Sequence, residues 1–338
     1  MTTSAPLGAG VVGLGIGFQH ALTYAALPST RLRWLLDIDA AQAEKARLQL
    51  GQGEIAADFA TILGDPETSI LSIASFDDAH YEQVLQALKH GKHLFVEKPL
   101  CRTIEEAAAI KKAWELAGRP ALESNLVLRA APMYRWLKSA IEAGEFGEIY
   151  AIDGDYLYGR LNKITQGWRG EIPDYSVTLG GGIHMIDLML WLSDQRPDRV
   201  SVVGNRISTR GSSFRYDDFA AATFTFPSGL VGRIATNYGC VHRHHHVLRV
   251  FGTKATFIYD DVGARLHRSR SPEERAAPIL APPLPTAKGD LIPGFVQAIL
   301  NRENTSPSAQ RNFDLICACA AAEASLREGY VRTVDYLE

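Results

Sequence analysis

Three short runs of this chain hold residue types whose spacing could do chemistry. The first is Gly13-Leu14-Gly15-Ile16-Gly17. Glycines spaced in this way leave a backbone without Cβ atoms, so its N–H groups can come close to a phosphate, backed by the positive end of a following helix. Asp37 stands 22 residues after Gly15, the distance at which a carboxylate meets ribose hydroxyls. Together they describe the pyrophosphate and ribose ends of a dinucleotide site. An acidic group there repels a 2′-phosphate, and no Arg or Lys follows at once to receive one. The expected cofactor is therefore NAD(H), with NADP(H) second. The plainer alternatives are a glycine turn with no ligand and an aspartate that caps the next turn.

The second run is Glu97-Lys98-Pro99. At a strand's carboxyl end, the edge where open α/β sheets bind ligands, this lysine could donate a proton to a substrate oxygen. The alternative is a surface lysine paired with Glu97. The third run spans Gly180-Gly181-Gly182 and Ile183 to Leu192. A helix this apolar must be buried. Its polar exceptions, His184 and Asp187, share one face at i,i+3 spacing and could form an acid/base pair. The alternative is a core histidine with its needs met by structure. The three glycines allow something bulky to lie against the backbone.

These side chains need elements to hold them. Gly8 to Val12 reads as a strand running into the Gly13–Gly17 turn, with a helix over Gln19 to Leu27. Strands follow at Leu32 to Leu36, Ile70 to Ser75 and His93 to Val96, and helices at Ala40 to Leu50, Tyr81 to His90 and Thr103 to Ala117. Thr103 is the expected N-cap of the last, with Glu106 as its capping-box partner. Such alternation implies an α/β Rossmann domain with a doubly wound parallel sheet over residues 1–123. After it, Met133 to Ala143 reads as a helix closed by Gly144. From Tyr150 on, β-type alternation dominates. A hairpin is expected over Ala221–Phe226 and Leu230–Asn237, with strands at Val247 to Phe251 and Ala255 to Tyr259. Residues 268–290 read as a loop and Phe313 to Glu328 as a final helix. Residues 124–338 are thus expected to form an α+β substrate and oligomerisation domain with a large, mostly antiparallel open sheet.

Composition narrows the class. The 338 residues exceed what one compact core usually holds. A net charge of -3 without a basic tract argues against nucleic acid as a partner. No apolar run reaches the ~18 residues needed to span a bilayer, and Met1 to Pro6 shows no secretory leader. Four cysteines in this length do not make a disulfide framework; Cys317 and Cys319 fit a buried helix. These features point to a cytoplasmic protein. His242-Arg243-His244-His245-His246 looks like a metal tract. In a strand, however, only His242, His244 and His246 could converge, and no acidic or cysteine partner has zinc spacing. No metal is expected, and a sheet-face or inter-subunit role fits the tract better.

Taken together, the motifs resemble the glucose-fructose oxidoreductase/inositol dehydrogenase/rhizopine catabolism (Gfo/Idh/MocA) family. The resemblance rests on the glycine loop, Asp37, His90 to Pro99, Arg129-x-x-Pro132, Gly144-x-x-Gly147-x-Ile149, Trp168-Arg169 and Gly182-x-His184-x-x-Asp187. It implies hydride transfer between NAD(H) and a secondary alcohol or ketone of a sugar, cyclitol or nucleotide-sugar, in a homodimer or homotetramer built on the C-terminal sheet. It implies that Lys98 touches the reacting oxygen and that His184 helps move the proton. Asn125, Arg129, Tyr158, Trp168 and Arg169 are implied near the substrate, and Ile16, Ser75, Phe76, His80 and Glu97 near the cofactor. The chain departs from the pattern in three places. The third glycine comes one residue early, at Gly17. Ser75-Phe76-Asp77 replaces the usual Ser/Thr-Pro-Asn. Gly180 stands where an aspartate often precedes the histidine by one turn, which shifts proton work toward Lys98, Asp187 or a tyrosine. Other readings are a non-catalytic sugar sensor that keeps NAD, and a glycosidase that oxidises its substrate transiently with held NAD.

Overall fold

A computed structural model of the protein describes residues 5–338. The expectation of no leader at Met1 to Pro6 falls mostly on residues 1–4, outside the described residues. The N-terminal part runs β1 (Leu7–Val12), α1 (Gly17–Ala26), β2 (Thr30–Leu36), α2 (Ala40–Leu50), β3 (Glu54–Ile55), α3 (Phe59–Gly64), β4 (Thr68–Ile73), α4 (His80–Lys89), β5 (His93–Val96), α5 (Ile104–Leu116) and β6 (Leu122–Ser124). The six strands are parallel, in the order β3-β2-β1-β4-β5-β6. The central strand β1 is apolar along its length and buried on both faces, as a strand inside a covered parallel sheet requires. The order reverses between β1 and β4, so the crevice at the carboxyl ends of β1, β4 and β5 is the expected ligand edge.

Local chemistry sets the helix ends. Asp39 caps α2 by accepting from Ala41 N at 2.9 Å, and Gly51 closes it in the left-handed conformation (φ 64°). Thr103 Oγ1 accepts from Glu106 N at 3.2 Å, as expected, but the Glu106 carboxylate takes the Arg102 N–H at 2.7 Å, one residue before the box position. The six-residue α3 and two-residue β3 went unforeseen because they are too short to show a period.

The second part comprises α6 (Pro132–Glu142), β7 (Ile149–Leu157), α7 (Asn162–Thr165), a π turn (Thr178–Gly182), α8 (Ile183–Ser193), β8 (Arg199–Asn205), β9 (Phe219–Thr225), β10 (Val231–Asn237), β11 (His245–Gly252), β12 (Thr256–Asp260), β13 (Gly263–His267) and β14 (Ala277–Pro278). With β15 (Arg332–Thr333) they form a nine-stranded sheet, β14-β13-β12-β11-β7-β10-β9-β8-β15. Only β7 and β10 run parallel. The expected hairpin is β9–β10, with Val231 opposite Thr225. Residues 268–290, expected as loop, hold only the two-residue β14.

Two helices follow, α9 (Ile292–Leu300) and α10 (Ser306–Glu328). The chain divides into two compact units, but not by a single cut at residue 123. The first unit runs to Ala130 and takes back Pro285–Ile316; the second holds Ala131–Leu284 and Cys317–Tyr336. The return has a packing cause. Ile292, Phe295 and Val296 of α9 enter the core that holds Tyr24, Leu35 and Phe95, and the Phe95 and Phe295 rings lie 5.5 Å apart. A local pattern names the apolar face of α9 but not its partner.

Candidate active site

In the first unit the glycine loop, one residue short, still does three separate jobs. Gly13 sits at φ 80°, and a Cβ there would meet the Ala74 carbonyl at 2.4 Å. It makes the turn. A Cβ on Gly15 would point into open space, leaving that stretch of backbone for close approach by a ligand. Gly17 brings α1 against the sheet, since a Cβ would lie 3.0 Å from Ala74 Cβ and 3.1 Å from Val11 Cγ1. Ile16, half exposed, is the N-cap of α1 and offers no capping side chain, and the first turn has no acidic residue. The helix end is therefore suited to an anion.

Asp37 folds back onto this loop. Its Oδ2 accepts from Leu14 N at 2.5 Å and its Oδ1 from Asp39 N at 2.9 Å. It does tighten the next turn, but the cap of α2 is Asp39. Gln42 Nε2 donates to Leu14 O at 3.0 Å and fixes the loop from the other side. The open glycine edge, the uncapped helix end and the carboxylate fit a dinucleotide, with Gly13, Gly15, Ile16, Gly17 and Asp37 as the residues that would hold it.

At the end of β4, Phe76 is half exposed and Ser75 Oγ bonds to Gln83 Oε1 at 2.7 Å. His80 is fully buried, with Nδ1 2.7 Å from Pro99 O and Nε2 3.2 Å from Ser75 O. It ties the Ser75 turn to Pro99 rather than turning its ring outward to a cofactor. Beyond β5, the Glu97 side chain is 14% exposed; Oε1 lies 3.3 Å from His20 Nε2 and accepts from Asn125 Nδ2 at 2.6 Å. Burial pushes this carboxyl up, but the His20 bond and charge, the Lys98 charge and the Asn125 bond outweigh it and hold the group at about 2. Lys98 is half buried. Glu97 faces inward to His20 and Asn125 instead of lying on the surface, with the Lys98 charge acting on it.

Asn125, expected near substrate, is 1% exposed and spends its amide hydrogens on Glu97 and on Lys288 O at 2.9 Å. Arg129 lies 3.9 Å from Glu123, with its side chain 10% exposed. Sequence reading missed His20 and Ser72. The available signal was a histidine on the buried face of α1.

The second unit brings Tyr158 and His184 to one cluster of rings. His246 of β11 is opposite Tyr156 of β7, which is opposite Thr236 of β10. Tyr158, Tyr238 and His244, each one residue beyond a strand end, join Tyr156 by ring contact. Tyr158 and Tyr238 rings are 4.4 Å apart, and Tyr156 meets His184, His244 and His246 at 6.2, 5.2 and 5.3 Å between centroids. Arg169 stacks on Trp168 at 4.3 Å. Burial, then neighbouring tyrosines, push the Tyr156 and Tyr238 hydroxyls upward against the pull of Arg169, so both stay protonated near neutral pH.

Gly180 and Gly181 make room for tyrosines, and Gly182 for Thr236, whose Oγ1 would lie 2.2 Å from an added Cβ. A Cβ on Gly180 would meet Tyr175 Oη at 2.2 Å and Tyr238 Oη at 2.9 Å; one on Gly181 would meet Tyr156 Cε1 at 2.3 Å. Asp187 is buried, and its charge acts on Cys319 of α10, whose thiol is pushed up by burial first and by Glu323 and Asp187 after it. Of the histidine tract, His244 and His246 join the tyrosine face. His242 does not converge with them. The strand begins only at His245, so His242 falls outside the pleat and bonds to Asp261 at 2.8 Å. Among the described residues no cluster of three or more His, Cys, Asp or Glu is arranged to hold a metal, and no helix is long and apolar enough to cross a membrane.

Comparison with known proteins agrees with both units. Residues 7–123 match the description "Oxidoreductase family, NAD-binding Rossmann fold" and residues 134–258 the GFO/IDH/MocA C-terminal domain. The chain is 25% identical to inositol 2-dehydrogenase of Rubrobacter xylanophilus over 97% of its length and 93% of that protein's. It is 30% identical to levoglucosan dehydrogenase of Pseudarthrobacter phenanthrenivorans over 75% of its length and 73% of that protein's. The match to inositol 2-dehydrogenase 2 of Saccharopolyspora erythraea, at 27% identity over 55% of this chain, spans only about half (53%) of that relative. The fold superimposes on levoglucosan dehydrogenase in complex with NADH and L-sorbose with a TM-score of 0.85, at 21% identity, covering 98% of this chain and 99% of that one. The chain belongs to the GFO/IDH/MocA family of oxidoreductases, with an NAD-binding Rossmann domain.

Proposed function

We propose that the protein moves a hydride between NAD(H) and a secondary alcohol or ketone carbon of a sugar or cyclitol. The observation that carries this reading is Lys98, half buried at the carboxyl end of β5, beside an inward-held and ionised Glu97. Bound nicotinamide supplies the hydride acceptor or donor. The chain supplies the rest. Lys98 binds the reacting oxygen and exchanges its proton. Glu97 stays on His20 and Asn125, so its charge is fixed near the lysine without leaving the protein. His184, packed on Tyr156, is the second proton-handling group, and the Tyr156 hydroxyl beside it stays protonated. The names of the relatives, inositol 2-dehydrogenase and levoglucosan dehydrogenase, support cyclitols and anhydrosugars as the first substrates to try.

The test is NADH formation from NAD with myo-inositol, levoglucosan and common hexoses, repeated with Lys98→Ala. Turnover with one of these polyols is expected. The variant should lose about 10²–10⁴-fold in kcat, the usual contribution of a general acid or base, while NADH affinity is kept. Near-native turnover by Lys98→Ala would refute the role of the lysine. Hydrolysis of a glycoside without NADH accumulation would replace the dehydrogenase reading.

A further inference from the structure

A buried polar bridge in the first unit stands behind the Glu97 carboxylate. His20 is the fourth residue of α1, the helix that opens at the glycine loop, and it is fully buried. Its Nδ1 lies 2.8 Å from Ser72 Oγ on β4. Its Nε2 lies 3.3 Å from Glu97 Oε1 and 3.1 Å from Asn125 Nδ2. The edge of the Phe95–His20 ring pair, 5.3 Å between centroids at 80°, sets the tilt of the imidazole.

Proton accounting fixes the roles. A carboxamide has two N–H hydrogens. Those of Asn125 go to Glu97 Oε1 at 2.6 Å and Lys288 O at 2.9 Å. Flipping the amide would set its oxygen against a carboxylate and a carbonyl, so the orientation is determined. No hydrogen is left for His20, and its Nε2 faces an acceptor and a spent donor. Nε2 must therefore carry its own proton and donate it to Glu97. The other carboxylate oxygen, Oε2, accepts from the backbone N–H of Lys98 at 3.2 Å. The contacts run without a break from Ser72 through His20 and Glu97 to the Lys98 peptide. A carboxylate this far from water is costly unless donors meet it, and His20 and Asn125 are those donors.

We infer that His20 is a positioning residue for Lys98: it bridges the helix whose N-terminus suits the pyrophosphate to the strand end that presents the lysine, by holding Glu97 in place. This rests on Lys98 being the proton-handling group. The bridge makes the placement of Lys98 depend on α1. The groups that face the Glu97 carboxylate are His20, Asn125 and Lys98 itself.

The experiment uses the full-length protein with His20→Leu, His20→Gln and Ser72→Ala. Leucine removes the donor to Glu97; glutamine restores an N–H there. Difference infrared spectra, with Glu97→Gln as the subtraction reference, report whether Glu97 is ionised at about pH 6. NADH binding and kcat are measured in parallel. In His20→Leu we expect a protonated Glu97 band absent from the native protein, and kcat down by about tenfold or more with the NADH Kd changed by less than about threefold. His20→Gln should recover the carboxylate and most of the turnover, a pattern that a merely structural role would not give. Ser72→Ala should lose part of kcat, and it stands in for His20→Leu should that variant fail to fold. An ionised Glu97 with native kcat in His20→Leu would overturn the inference, as would His20→Gln as impaired as His20→Leu. The outcomes are separable from those for the lysine. Full turnover in Lys98→Ala removes the lysine's role, whereas the infrared result addresses the bridge alone.

Discussion

Replacing Gly181 by alanine sets two effects of known size against each other. Gly181 lies in the π turn before α8, and its backbone is outside the left-handed region. Alanine is therefore allowed there, and helix propensity alone would favour it by about 1 kcal/mol. The added Cβ, however, would come 2.3 Å from Tyr156 Cε1 and 2.7 Å from Cδ1. Carbon atoms rest about 3.5–4.0 Å apart, so the ring would have to retreat by more than about 1 Å. It has little room, being 5% exposed and bounded by Tyr158, His184, His244 and His246. Overpacking of this kind costs about 1–3 kcal/mol. A ring held on four sides belongs at the upper end, so the clash outweighs propensity and Gly181→Ala should destabilise by about 2 kcal/mol. Tyr156→Phe keeps the ring carbons and should give no relief. Tyr156→Ala empties the space, so Gly181→Ala made in that background should be neutral or stabilising. Urea unfolding followed by tryptophan fluorescence gives the double-mutant coupling, about 2 kcal/mol. An equal cost of Gly181→Ala in both backgrounds would refute the packing argument.

Two further outcomes follow from the same structure. Glu97 ionises near 2 when folded against about 4.5 when unfolded, so it contributes about 3 kcal/mol that is fully present above about pH 4.5 and lost as pH falls toward about 2; the stability gap between native protein and Glu97→Gln should therefore narrow between urea titrations at about pH 7 and about pH 3, and a constant gap would contradict this. On the outward face of the nine-stranded sheet Val203 is 69% exposed and Val231 36%, so light scattering should give the mass of two or four chains, and a single-chain mass that persists at high protein concentration would rule out assembly on that face.

Much of the architecture could be read from the chain because it is local. α2 and β5 have the expected bounds, and Thr103 caps α5 as its spacing implies. Hydrophobic period and capping residues report on one element at a time, and here they located the longer elements while β8, β13 and α9 were not read. They say nothing of distant partners. α9 returns to the first unit because Phe295 meets Phe95, two hundred positions away in the chain. His20, Ser72, Glu97 and Asn125 form one bridge from four separate segments, and no spacing rule joins them. The tract at His242–His246 failed for a different reason. Period 2 holds only inside a strand, and the strand starts three residues later than the first histidine.

The departures from the family pattern show how far a motif can change while its physical work is kept. Counted along the sequence, the glycine loop lacks a residue. In space, Gly13 turns, Gly15 stays open and Gly17 packs, each for a separate steric reason. Gly180 reads in sequence as the loss of a carboxylate. In the structure its Cβ position is already filled: Tyr175 Oη would lie 2.2 Å away, and Tyr175 and Tyr238 hydroxyls are 3.2 Å from each other. Any side chain at 180 would have to displace this buried pair. Glycine is therefore what the tyrosines require, and the polar group on that side of the helix is a neutral hydroxyl pair instead of an anion. A hydroxyl pair can orient a neighbouring imidazole, but it brings no negative charge to stabilise an imidazolium.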